Sequence, residues 1–165
     1  MAVNKESFAQ FLHYLLNDIR DNYSYIKDSK NVVIGESLSL LDKPDSDFPR
    51  AEILIQKQKY NGWVDQRVLD QSFRFSIGVH IRRVKDETTE EDMFDALNAG
   101  QELMKTIYRM HETVIDKGAG AICDGFIQIA GFPEIYYEYE IFPRTTTIIL
   151  IAEAEIQLWD TYTNN

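Results

Sequence analysis

Cysteine is almost absent. Cys123 is the only one in 165 residues, so no disulfide can form within the chain and a small disulfide-held scaffold is excluded. A lone thiol of this kind behaves as a small apolar residue. Positive charge is also scarce: 17 Lys and Arg against 27 Asp and Glu leave a net charge of -10 and a pI near 4.7. Nonspecific duplex binding needs clustered cations that release counterions, so DNA should be repelled rather than gripped. No window approaches the roughly 18 consecutive apolar residues that a membrane helix needs. The opening Met-Ala-Val-Asn-Lys-Glu has no basic start leading into an apolar run, so no secretory signal and a cytoplasmic site of assembly are expected. No internal repeat, low-complexity tract or long linker divides residues 1–165, and one domain is expected.

Familiar catalytic patterns are missing as well. There is no Gly-rich nucleotide loop, nucleophile elbow or His-Glu-x-x-His. Gly118-Ala119-Gly120 follows a long helical pattern instead of opening one, so it cannot present helix N-terminal amides to a phosphate. His13, His80 and His111 fall on separate elements with no pair at metal-ligand spacing. A triad of Cys123 with a histidine and an aspartate would assemble in space rather than in sequence, and nothing singles one out. Glu153 and Glu155 would stand about 7 Å apart on one strand face. Glycosidase chemistry would need one of them in an apolar pocket, whereas both flank the polar Gln157. No catalytic residue, cofactor or metal site is therefore expected.

What the chain does have is strong periodicity, with 44% hydrophobic and 12% aromatic residues. Asn4 is placed to cap a first helix bearing Phe8, Phe11, Leu12, Leu15 and Ile19. A first strand starts at Val32 and ends near Leu41, before the polar loop Asp42–Asp47. Residues 51 to 59 form a second strand, and Asn61-Gly62 is the strongest hairpin signal. Phe73, Phe75, Ile77, Val79 and Ile81 then alternate with Arg74, Ser76, Gly78, His80 and Arg82, giving a strand with one core face and one wet face. Because strict alternation starts near Phe73, residues 59–71 are expected to protrude as a hairpin arm carrying Tyr60 and Trp63.

Thr88 and Glu91 have capping-box spacing, with Glu90, Glu91 and Asp92 in the first turn of the main helix. Its apolar stripe runs from Met93 through Ala96, Leu97, Gly100, Leu103, Met104, Ile107, Met110 and His111 to Val114. Lys117-Gly118 ends it after about seven turns. Strands follow at 126–129, 136–141 and 145–159, and Pro133 and Pro143 hold the middle one at an edge or outside the sheet. Ile148, Leu150, Ala152, Ala154, Ile156 and Leu158 keep one face of the last strand apolar. The other face changes from Ile149 and Ile151 to Glu153, Glu155 and Gln157. A short polar tail covers 161–165. The order predicts an α+β fold: an antiparallel or mixed β-sheet with two helices packed on one side and the hairpin arm protruding.

The order of elements, the arm around Tyr60-Asn61-Gly62-Trp63 and the strand Thr-Thr-Ile-Ile-Leu-Ile-Ala-Glu-Ala-Glu-Ile-Gln-Leu-Trp together resemble the tail terminator (tail completion) proteins of long-tailed bacteriophages. The resemblance spans the whole chain and is one of pattern and size. It implies a homo-oligomeric, hexameric ring on the head-proximal end of the tail tube, which stops polymerisation and presents the surface for head attachment. The implied partners are other copies of the chain, the tail tube protein and a head completion or neck protein, with DNA passing through unbound and no membrane involved. On this reading Glu153 and Glu155 face the lumen, with Glu138 and Glu140 as further candidates. Tyr60, Trp63, Arg82, Arg83 and Lys85 form one subunit or docking patch, and Glu90, Glu91 and Asp92 form another. Rival readings are a neck adaptor or tube subunit of the same machinery, a small-molecule binding module and, third, a hydrolase.

Overall fold

The computed structural model describes residues 7–35, 47–65, 68–83, 89–117, 126–129, 134–142 and 145–161. Helix α1 (Ser7–Asn22) forms because Phe8, Phe11, Leu12, Leu15, Leu16 and Ile19 recur at three- and four-residue spacing. That stripe lies against the sheet: Phe8 stacks on Phe73 at 3.8 Å between ring centroids, and Phe11 meets Phe75 edge-on at 5.9 Å. Asn4, the expected continuation of the first strand to Leu41 and the expected loop from Asp42 to Ser46 lie outside the described residues.

Strands β1 (Val32–Ile34), β2 (Arg50–Trp63), β3 (Val68–Arg83), β4 (Phe126–Ile129), β5 (Glu134–Phe142) and β6 (Thr145–Thr161) form one six-stranded mixed sheet. The β1–β2 pair is parallel and every other pair antiparallel. The order is β1-β2-β3-β6-β4, and β5 joins the outer side of β6 beyond β4. β4 covers residues 156–159 of β6 while β5 covers 145–153, so among the described residues β5 is an edge strand, the first of the two placements expected from its flanking prolines.

The central pair explains the core. β3 and β6 run in register from Val68 opposite Thr161 to Arg83 opposite Thr146. Phe73, Phe75, Ile77, Val79 and Ile81 therefore share one face with Ile148, Leu150, Ala152, Ala154, Ile156 and Leu158, and all are buried. Helix α2 (Glu90–Lys117) covers this face with Ala96, Ala99, Leu103 and Ile107. The two helices are joined over the same side of the sheet. Tyr23 donates its hydroxyl to the Ala99 carbonyl at 3.0 Å, Ser24 donates twice to Glu102, and Arg109 pairs with Asp18 at 3.0 Å.

Several expectations need correction. The capping box sits one residue later than predicted: Thr89 donates its amide and hydroxyl to Asp92 Oδ2, both at 2.9 Å, and the helix opens at Glu90. Leu97, expected in the stripe, is 48% exposed, and Ala99 takes the inward position. The hairpin does not turn at Asn61-Gly62. Both remain in β2, where the register shifts between Tyr60 and Gly62, and the chain reverses between Val64 and Val68. Gly62 occupies φ +135°, a conformation L side chains rarely adopt, so the Asn-Gly pair marks a bulge instead of the turn. An isolated two-stranded arm over 59–71 is not what the register gives, because β6 continues beside β3 to its end and Thr161 is paired rather than in a tail.

Candidate assembly surface

The register also fixes which residues share the sheet face turned away from the helices. Across β2, β3, β6 and β5 the rows on that face include Lys57–Arg74–Glu155, Leu54–Ser76–Glu153–Glu134 and Arg50–His80–Ile149–Glu138. Glu134, Glu138 and Glu155 are exposed, and Glu153 is half-buried. The strands thus bring three of the four predicted lumen residues, Glu153, Glu155 and Glu138, to one side. Glu140 follows in β5 opposite Thr147, with its side chain outside the described residues.

These carboxylates are not a bare acidic strip. Glu153 accepts from Arg74 Nη2 at 3.3 Å and from Gln56 Nε2 at 3.2 Å. A bulge between Ile55 and Lys57 supplies Gln56 as an extra residue of β2, and its amide reaches Glu153. Glu134 stands directly opposite Glu153, a repulsive placement for two carboxylates. Glu134 accepts the Tyr136 hydroxyl, and that hydrogen bond, with the nearby carboxylate charge, raises the Tyr136 phenol above its usual range. Asp70 accepts from Gln157 at 3.0 Å and from Asn61 at 3.4 Å, extending the polar ladder toward the hairpin end.

The same face is not wet throughout. Arg50, Glu52, Ser76, His80, Thr147 and Ile149 are buried there, against the expectation that Ser76, Gly78 and His80 face water. Arg50 and Glu52, two residues apart on β2, form an ion pair at 2.7 Å with almost no exposure. Phe48, just ahead of β2, lies on the Arg82 guanidinium at 3.8 Å, so Arg82 is half-buried and packed instead of standing in an open basic patch. Sequence reading missed the Arg50–Glu52 pair; the available signal was two opposite charges at i and i+2 in a strand, which always share a face.

Of the first predicted patch, Tyr60 and Trp63 do not share a face with Arg82. Tyr60 and Trp63 are 54% and 57% exposed, in edge-on contact at 6.5 Å, and they lie on the helix side of the sheet, opposite the carboxylates. Glu90 and Glu91 are exposed, but Asp92 is buried and its carboxylate is used by Thr89, which removes it from an intersubunit patch. Arg83 ends β3 with its side chain outside the described residues, and Lys85 lies outside them altogether.

A groove of about 420 Å³ opens between α2 and β5, lined by Gly100, Met104, Tyr108, Ile135 and Tyr137. Among the described residues no group of three His, Cys, Asp or Glu could hold a metal ion, and no helix is long and apolar enough to cross a membrane. His111 and Cys123 are outside what can be described at side-chain level. The sequence matches no protein-family model and no curated protein.

Proposed function

We propose that this chain is a structural assembly protein of a long-tailed bacteriophage, a tail terminator that forms a ring, hexameric by resemblance, on the head-proximal end of the tail tube. It stops tube growth and offers the head-attachment surface; it is not an enzyme, and it assembles in the host cytoplasm into the virion. The observation that carries the reading is the division of one continuous sheet. One face is packed under two helices, and the other bears Glu134, Glu138, Glu153 and Glu155 in register. A ring built from such subunits can turn its carboxylates to the lumen. There, like-charge repulsion keeps DNA phosphates from lingering, an effect that extends about 8–10 Å at physiological salt. The net charge of -10 fits the same role. The partners are other copies of the chain, the tube protein and a neck protein.

The discriminating experiment is polymerisation of the cognate tube subunit followed by light scattering. A terminator halts growth when present at far less than one copy per tube subunit. A tube subunit would instead add mass, and a neck adaptor would leave the growth curve unchanged.

A further inference from the structure

Among the described residues β1 pairs only with Ala51–Ile53 of β2, while β2 continues to Trp63. Beyond Ile53 the outer side of β2 is thus an edge among the described residues, and residues 55 to 61 are exposed on both faces of the strand. Lys57 and Lys59 project from this edge on the carboxylate side, because they stand opposite Arg74 and Ser72. At the other side of the sheet β5 is also an edge among the described residues, and Glu134 and Glu138 project from it on the same face. One edge is basic and the other acidic.

Strand direction adds a second constraint. β2, β3, β6 and β5 alternate in direction, so β5 is antiparallel to β2. Rotation about an axis lying roughly along the strands keeps each strand's direction and each face's side. It sets the β5 edge of one copy against the β2 edge of the next as another antiparallel pair. Two-fold pairing of β2 with β2, or of β5 with β5, is also antiparallel but opposes lysines to lysines or glutamates to glutamates. Lysines on an edge ordinarily keep strands from pairing with chance partners; here they leave a carboxylate-bearing edge as the acceptable one.

We infer that the β2 edge at residues 55–61 pairs antiparallel with the β5 edge at residues 134–142 of a second copy, so that one sheet runs unbroken from subunit to subunit. The register that places Glu138 opposite Lys59 also places Glu140 opposite Lys57. Because β5 lies beside residues 145–153 of β6 and the open part of β2 lies level with the far half, successive copies are offset along the strands. Every closed sheet carries a stagger of this kind. Head-to-tail contacts of two unlike patches generate rings or filaments; closure into a ring rests on the function proposed above, whereas edge pairing does not.

The test is a disulfide scan in a Cys123→Ser background. Lys59→Cys with Glu138→Cys, oxidised in concentrated solution and on isolated tails, should give a ladder of covalent multimers, and either single variant should give none. Charge reversal at Lys57→Glu and Lys59→Glu should abolish wild-type association, and adding Glu138→Lys and Glu140→Lys should restore it. Circular dichroism confirms that each variant folds. No ladder in either setting, or dimers from a single-cysteine variant, overturns the pairing. Uniformly ended tails without a ladder would retain the terminator and discard this interface; a ladder with no effect on tails would do the reverse.

Discussion

At the scale of single residues, the most exacting feature is the Arg50–Glu52 pair, two charges removed from water 2.7 Å apart. Desolvation of both ions offsets much of their attraction, but deleting one leaves the other buried and unpaired. Glu52→Ala should cost about 3–5 kcal/mol in urea unfolding, while a double replacement by apolar residues of similar volume should cost far less. A double-variant loss equal to the sum of the separate Arg50 and Glu52 losses would mean the pair is not coupled. Tyr23 is a second such residue. Burial, reinforced by Glu102, pushes its phenol far above the usual 10.0, and its hydroxyl is donated to Ala99. The neutral form is the one that folds, so this contribution is complete below pH 10 and falls as the unfolded chain ionises above it. Tyr23→Phe should lower stability by about 1 kcal/mol at neutral pH. It should also flatten the decline in Tm above pH 10 relative to wild type; parallel declines would contradict the assignment.

At the scale of elements, the approach of α2 to β5 depends on Gly100. A Cβ there would overlap the Tyr137 hydroxyl, with its Cζ at 3.2 Å and Leu150 Cδ2 at 3.4 Å. Gly100→Ala should destabilise by about 1–3 kcal/mol through overpacking, despite the better helix propensity of alanine. Adding Tyr137→Phe should return part of the loss in thermal melts, since the hydroxyl is the nearest atom. What the sequence made legible follows from the same local physics. The alternation in β3 and β6 identified their buried faces residue by residue, and the apolar spacing of α1 identified its packed stripe. Errors arose where a tertiary partner decides. Asn61-Gly62 looks like a turn in isolation, but pairing with β3 turns it into a bulge. Thr88 and Thr89 are equally good caps until the carboxylate of Asp92 selects the second. The burial of His80 and Ser76 depends on what covers the sheet, as Phe48 does at Arg82, and no alternation in β3 encodes that.

At the scale of the whole molecule, the acidic face and the aromatic pair lie on opposite sides of one sheet, which suits a subunit that meets different neighbours on each. Their legibility in sequence was unequal: alternation in β6 put Glu153 and Glu155 on one face, but the register that adds Glu138 to it, and the hold of Arg74 and Gln56 on Glu153, had no local signal. Tyr60 and Trp63 are exposed and bury little core. Replacing both with Ala should weaken ring formation or docking while leaving the melting temperature unchanged; an unchanged assembly yield would remove them from the assembly surface. The central claim is tested most directly by negative-stain electron microscopy of tails assembled with and without this chain. Uniform tube lengths and a disc at one end only when the chain is present are the predicted result. Tubes of the same length distribution, with the same bare ends in both preparations, would contradict it.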